Sequence, residues 1–173
     1  MSLYLIANGP APTTAAQVKR ATSTAIRTML QVQLGATVTG RLVEWGISFD
    51  GFAAAQPGQV EIFETSVAAT GLTALATADI IRLDGSALIG GNPVTELILV
   101  GTGATGFTAD TTCTEGTPAN VRMFDAQLIA PTNQYVKQYP LGREPVIQAA
   151  KNVRIRATFG TTVNAYAYMI LDI

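Results

Sequence analysis

Three glycines spaced as G-x-G-x-x-G are the residues that most directly suggest chemistry: Gly101, Gly103 and Gly106. They follow the apolar residues 97–100, as in the strand–turn–helix unit that binds the pyrophosphate of a dinucleotide. Such a site also needs a helix that begins at the glycines, so that its N-terminus faces the phosphates. The sequence that follows, FTADTTCT, is a poor helix former. We therefore predict a loop here and no nucleotide site.

Paired carboxylates are the next candidates, because general acid–base catalysis often uses two of them facing each other. Glu61 and Glu64 are three residues apart in a predicted strand, so their side chains should point to opposite faces. Asp110 and Glu115 lie in a predicted loop, where solvated carboxylates are expected. No calcium-loop spacing surrounds them. Neither pair predicts catalysis.

The chain contains no histidine and a single cysteine, Cys113. Without histidine, neither a Ser-His-Asp triad nor a Cys–His pair can form, and the commonest metal ligand is missing. One cysteine alone makes neither an intrachain disulfide nor a zinc site. We therefore predict that the protein is not an enzyme and has no catalytic, metal-binding or cofactor-binding residues.

Aromatic and basic side chains remain as candidates for binding. Four tyrosines in predicted strands suggest a sugar-binding face, although strand tyrosines with the hydroxyl at the rim are the commoner explanation. They are Tyr135, Tyr139, Tyr166 and Tyr168. Arg154 and Arg156 alternate along one predicted strand and therefore share a face. A salt bridge to a neighbouring subunit and a solvated pair are equally good interpretations of them.

The composition limits the remaining function classes. Hydrophobic residues make up 48% of the 173 residues and charged residues 13%, a balance that argues against disorder. The net charge is −1 with no Lys/Arg stripe, so no nucleic-acid partner is expected. No run approaches the roughly 20 apolar residues that span a bilayer. The N-terminal sequence MSLYLIANGPAP lacks the basic start of a signal peptide, so we expect synthesis in the cytoplasm and no membrane partner.

Residues 41–65 are the predicted centre of the fold, because they read as two apolar strands joined by a turn-rich loop. Trp45, the only tryptophan, provides the largest apolar surface for a core. The alternating apolar residues are Val43, Trp45, Ile47 and Phe49 in the first strand, and Val60 and Ile62 in the second.

Further strands are predicted by period-two alternation between Gly/Pro turns. They cover residues 3–7, 26–34, 80–83, 95–100, 121–130, 134–139, 146–148, 153–159 and 163–173. Residues 15–19 suit a turn of helix or, nearly as well, a strand over residues 17–21. Residues 66–80 are predicted as extended loop with a short strand or a turn of helix, and residues 101–119 as a long loop.

Because residues 3–7 and 146–148 are only candidate short strands, the count is eight to ten strands. This predicts an all-β antiparallel sandwich, most simply a jelly roll. One domain should cover residues 1–173, with residues 1–12 as a candidate N-terminal arm that contains a stiff segment at Asn8, Pro10 and Pro12.

Two stretches resemble a group of known proteins. They are VEWGISFDG at 43–51 followed by VEIFET at 60–65, and YPLGREP at 139–145 followed by VRIR at 153–156. Together they resemble small virion proteins of tailed bacteriophages, several of which are jelly-roll decoration (cement) proteins of the capsid.

This resemblance implies a structural protein that binds the outside of the phage head and stabilises contacts between major capsid subunits. It implies the virion surface as location, the major capsid protein as partner, and a homo-oligomer, with a trimer favoured. The candidate interface residues are Arg154, Arg156, Asn8, Pro10 and Pro12. A tail or head–tail connector protein and a carbohydrate-binding module are the alternatives.

Overall fold

The structure is a computed structural model that describes residues 2–14, 16–52, 56–84, 97–109 and 113–173. In these residues it contains thirteen strands, eight long and five of two residues, and one turn of 3₁₀ helix, Thr77–Asp79. The strands are β1 (Leu3–Ala7), β2 (Arg20–Ala21), β3 (Arg27–Gln33), β4 (Gly40–Phe49), β5 (Gly58–Thr65), β6 (Thr73–Ala74), β7 (Ile81–Arg82), β8 (Gly106–Phe107), β9 (Arg122–Ile129), β10 (Gln134–Gln138), β11 (Val146–Ile147), β12 (Asn152–Thr158) and β13 (Asn164–Asp172).

The strands form two antiparallel sheets that pack face to face, so the predicted β-sandwich is confirmed. The first sheet has the order β10-β4-β13-β1-β7, with β11 also paired to β4 and β2 to β13. The second sheet has the order β6-β8-β3-β12-β5-β9. When the eight long strands alone are numbered along the chain, the sheets read 1-8-3-6 and 2-7-4-5. This is the strand order of a jelly roll, in which successive strands mostly alternate between the two sheets.

The core lies between the sheets and is built from the inward-facing residues of both. Trp45 is fully buried and packs against Tyr135, with ring centroids 5.3 Å apart. The ring centroids of Phe49 in β4 and Phe159, which directly follows β12, are 4.6 Å apart. Val60 and Ile62 are fully buried, as predicted. The strands within residues 41–65 belong to different sheets, because β4 pairs with β13 and β5 with β12, so they face each other across the core.

A β-bulge changes which side of β4 is buried. Ile170 of β13 lies opposite Glu44, and Leu171 lies opposite Leu42, so Val43 is an extra residue without a partner. An extra residue shifts the alternation by one position. Consequently Leu42 is fully buried and Val43 only partly. The prediction that Val43 shares the face of Trp45 was therefore wrong.

Two segments between β5 and β9, residues 66–70 and 113–119, are bridged at Thr70 and Thr114 and lie over the outer face of the second sheet; we call them the covering loop. The side chain of Gln31 in β3 accepts a hydrogen bond from the Ala69 backbone N–H at 2.8 Å and donates one to the Ala104 carbonyl at 2.7 Å. β3 is therefore buried on both faces. The short strand β6 and the 3₁₀ turn confirm the expectation for residues 66–80.

Other predictions differ in detail. Residues 16–19 carry no helix, and β2 begins at Arg20. Of the strand predicted over residues 95–100, only isolated bridges at Ile98 and Val100 fall in the described part of the chain. The Gly/Pro turns between the predicted strands 80–83 and 95–100, at Gly85, Gly90-Gly91 and Asn92-Pro93, lie outside the described residues, as does Asp110.

Candidate functional site

The outer face of the first sheet carries apolar side chains that are aligned across neighbouring strands. Strand register places Ile81, Leu5 and Ile170 in one row across β7, β1 and β13. A neighbouring row places Tyr168 beside Gly46 and then Val136, across β13, β4 and β10. We call this surface the outer apolar face; its members are Leu3, Leu5, Ile81, Val136, Tyr166, Tyr168 and Ile170.

The members of the outer apolar face are exposed or partly exposed. Val136 is 51% exposed, Leu3 38% and Ile81 36%. Their strand neighbours Tyr4 and Met169 point into the core and are buried. β1 and the middle of β13 therefore carry apolar or aromatic side chains on both faces, whereas one face of an antiparallel strand is commonly polar.

Tyr168 lies over Gly46 on the outer face of the first sheet and is hydrogen-bonded to Glu44. Gly46 lies directly opposite it in β4, and a Cβ at Gly46 would come within 2.5 Å of the Tyr168 ring. The absence of a side chain at Gly46 thus makes room for the ring. The Tyr168 hydroxyl donates to Glu44 Oε1 at 2.6 Å. Burial and the adjacent Glu44 carboxylate both raise the pKa of Tyr168, so it remains a neutral donor at physiological pH.

The predicted N-terminal arm lies along the rim of this face. Asn8 is buried, and its side-chain amide donates to a β13 carbonyl at 3.2 Å. The Ala11 N–H donates to Asp79 Oδ1 at 2.9 Å. Pro10 and Pro12 are exposed. β1 itself is paired on both sides, by β13 and β7. In this structure residues 2–12 therefore lie against their own domain, and their contact with a neighbouring subunit stays a prediction.

The four candidate tyrosines do not line one surface. Tyr166 and Tyr168 belong to the outer apolar face, whereas Tyr135 of β10 and Tyr139, which directly follows β10, pack against the core. The Tyr139 hydroxyl donates to the Phe124 carbonyl at 3.3 Å. Burial raises the pKa of Tyr135 and of Tyr139 to about 12. A sugar-binding face built from all four tyrosines is thus not formed.

Asp125 joins β9 of the second sheet to β10 of the first. It accepts hydrogen bonds from the Tyr135 hydroxyl at 2.8 Å and from Gln127 Nε2 at 2.9 Å, and Lys137 Nζ lies 3.2 Å away. Burial acts to raise the pKa of Asp125, but these three partners outweigh it and lower the pKa overall. The Asp125 carboxylate therefore links the two sheets through its hydrogen bond to Tyr135 and its ion pair with Lys137.

The two candidate arginines lie on the outer face of the second sheet, under the covering loop. Arg154 is fully buried, and its guanidinium pairs with Glu115 and donates to Thr28 Oγ1 at 2.8 Å. Arg156 pairs with Glu61 and lies 4.4 Å from the centre of the Phe63 ring. The predicted shared face is therefore observed, but both charges are satisfied within the chain. Their contact with a neighbouring subunit stays a prediction.

The structural role of Glu115 was not predicted from the sequence. A solvated carboxylate was expected, but only 17% of the side chain is exposed, and it accepts from Thr28 Oγ1 at 2.9 Å. Cys113 donates to Glu115 Oε1 at 3.1 Å, and burial raises the pKa of its thiol. This combination disfavours the thiolate and with it a nucleophilic role.

The glycine motif forms a turn followed by a strand. Gly101 and Gly103 adopt positive φ angles of 115° and 82°, and the Ala104 N–H donates to the Gly101 carbonyl at 3.2 Å. The next element is β8, so no helix N-terminus faces the turn. The geometry of a dinucleotide site is absent from this turn.

The comparisons with known proteins add no identification. No family model matches the chain, and no curated protein or solved structure matches it. Within the described ranges, no three His, Cys, Asp or Glu residues are grouped closely enough to hold a metal ion. The same part of the chain has no helix that is long and apolar enough to cross a membrane.

Proposed function

We propose that this protein is a structural component of a bacteriophage virion, most specifically a capsid decoration protein. In this proposal it binds the outer surface of the head and stabilises contacts between major capsid subunits. The outer apolar face is the single observation that carries the proposal, because aligned exposed apolar side chains are typical of contact surfaces. Jelly rolls occur in viral capsid proteins and in unrelated functions, so the fold agrees with the proposal without deciding it.

The dimensions of this surface suggest how it would act. The five strands of this sheet, at a spacing of about 4.8 Å and over some five residues of about 3.4 Å each, cover roughly 24 by 17 Å, or about 400 Å². β4 contributes Glu44, Gly46 and Ser48 to this area, so the apolar part is smaller. An area of this size is comparable to the largest apolar patch on a typical monomer, which is often functional, and it is below the roughly 800 Å² per partner of a standard stable interface. A contact of this size is sufficient when many copies bind a repetitive lattice, or when the copies are linked as a trimer.

The test compares two exposed apolar strand residues on different sheets. Val136→Asp places a charge on the outer apolar face, and Leu128→Asp places one on β9 of the second sheet, where Leu128 is 75% exposed. Both variants should fold, because neither side chain belongs to the core. We expect Val136→Asp to abolish co-sedimentation with purified phage heads that lack the protein, and Leu128→Asp to bind like the wild type.

The location of the protein in the particle tests the wider proposal. Hundreds of copies on the head surface are expected in a particle map. A copy number in the tens, at the tail or the connector, would replace the decoration role by that alternative. Loss of head binding in Leu128→Asp but not in Val136→Asp would reject the outer apolar face as the contact.

A further inference from the structure

A cavity of about 330 Å³ opens on the outer face of the second sheet, where the covering loop ends. Its floor is made by two cross-strand pairs of polar side chains, Gln59 with Thr158 and Glu61 with Arg156. Thr24 and Ile26 form part of its wall, and Ile26 is 49% exposed. The volume lies at the lower end of the range for small-molecule sites, which is about 300–1,000 Å³.

The charges around the cavity cancel. The Arg156 guanidinium pairs with Glu61, and its other nitrogen lies 3.8 Å from Glu115, which also balances Arg154. Two cations therefore face two carboxylates. An anionic ligand attracted by Arg156 would be repelled by Glu61. A cationic ligand attracted by Glu61 would be repelled by Arg156. The cavity consequently favours a neutral ligand.

The floor offers hydrogen-bond donors and acceptors side by side. A guanidinium only donates, an ionised carboxylate only accepts, and the Gln59 amide does both. A hydroxyl group also does both, so two neighbouring hydroxyls of one ligand can accept from Arg156 while donating to Glu61. The exposed Ile26 gives an apolar surface for the C–H groups of such a ligand. We propose that this cavity binds a single neutral sugar residue.

This site differs from the surface suggested by the tyrosines, because Tyr166 and Tyr168 lie on the opposite side of the sandwich. It is also independent of the proposed virion role, which depends on the first sheet. Either proposal can therefore fail without the other.

The experiment titrates ¹⁵N-labelled protein with neutral and charged sugars and follows amide chemical shifts. The neutral probes are glucose, galactose, mannose and N-acetylglucosamine, and the charged probes are glucuronate and glucosamine. We expect saturable shifts with at least one neutral sugar, confined to residues 24–26, 59–61 and 156–160, and binding of the charged probes weaker by about tenfold.

Two matched variants separate binding from folding. Gln59→Ala removes one exposed hydrogen-bonding group and should weaken the neutral sugar about fivefold, the loss expected for one hydrogen bond. Gln134→Ala removes a similarly exposed glutamine from β10 of the first sheet and should bind like the wild type. No saturable shift at the cavity would overturn the proposal, as would equal or tighter binding of glucuronate or glucosamine, or shifts centred on Tyr166 and Tyr168.

Discussion

Arg154 is a buried charge on the outer face of the second sheet, beneath the covering loop. It is fully buried, and burial is the main cause that lowers its pKa, while the Glu115 carboxylate opposes this change. A buried charge is tolerated only when it is paired and hydrogen-bonded. The pairing of Arg154 with Glu115 and Thr28 therefore fixes the loop from residue 113 onward to the second sheet.

Removal of the Glu115 charge should destabilise the protein strongly. Glu115→Gln leaves the buried guanidinium of Arg154 without a counter-ion, for which we expect a loss of about 3 kcal/mol in the free energy of unfolding. Urea denaturation followed by the fluorescence of the buried Trp45 measures this loss. As the control, Lys19→Gln breaks the exposed pair with Asp50, and it should cost less than about 1 kcal/mol. Equal effects of the two variants would contradict the role assigned to Glu115.

Asp125 should make the stability depend on acid pH. Its folded-state pKa is lower than its ordinary value, so the carboxylate stabilises the fold above the unfolded pKa of about 3.9. That contribution is lost as the pH falls from there through the folded pKa. We expect the wild type to be more stable than Asp125→Asn in urea denaturation at pH 7, with the difference shrinking below about pH 4. A difference that stays constant between pH 7 and pH 3 would show that the carboxylate charge is not involved.

At the scale of single elements, alternation predicted where strands occur but not where their register shifts. Bulges add one residue in β4 at Val43, in β3 at Met29 and in β9 at Phe124. After each bulge the buried face changes parity, as when Leu42 replaces Val43 in the core. The pairing of Arg154 with Glu115 also could not be predicted, because the two residues are 39 positions apart and no local sequence pattern links them. A clearer signal was present in β1 and in the middle of β13, where Leu3, Leu5 and Ile170 are apolar on the outer face.

Two glycines in the long strands test how neighbouring strands pack. A Cβ at Gly46 would approach the Tyr168 ring to 2.5 Å, and a Cβ at Gly58 would approach the Phe159 ring to the same distance. Tyr168 is on the outer face and can swing outward, whereas Phe159 is buried in the core. We therefore expect Gly46→Ala to cost less than about 1 kcal/mol and Gly58→Ala about 1–3 kcal/mol, the range for overpacking a core.

The measurement for both glycine variants is again denaturation by urea. Gly46→Ala should also weaken head binding, because displacement of Tyr168 reshapes the outer apolar face and breaks its hydrogen bond to Glu44. A Gly46→Ala variant less stable than Gly58→Ala would mean that Tyr168 is as constrained as a core residue.

At the scale of the whole molecule, the first and last strands of the jelly roll, β1 and β13, are neighbours in the first sheet. β1 pairs with β13 along its full length, and the Ser2 N–H donates to the Ile173 carbonyl at 2.9 Å. β1 also supplies core residues such as Ile6, which is fully buried. The segment that the sequence suggested as an arm thus begins with a central strand, and only the part from Asn8 to Pro12 lies at the rim of the outer apolar face.

Truncation should therefore separate the two roles of the N-terminal segment. Deletion of residues 1–12 removes β1, exposes the edge of β13 and uncovers the core at Ile6, so we expect an unfolded or aggregated protein. The double variant Pro10→Ser/Pro12→Ser keeps β1 and should unfold within about 1 kcal/mol of the wild type, because both prolines are exposed. Circular dichroism and urea denaturation distinguish the two proteins. If the truncated chain retained the wild-type unfolding transition, β1 would be dispensable and the segment would be free to act as an arm. If the truncated chain unfolds, the double proline variant is the informative one. Because β1 is intact in that variant, a loss of head binding would be due to residues 8–12 at the rim of the outer apolar face.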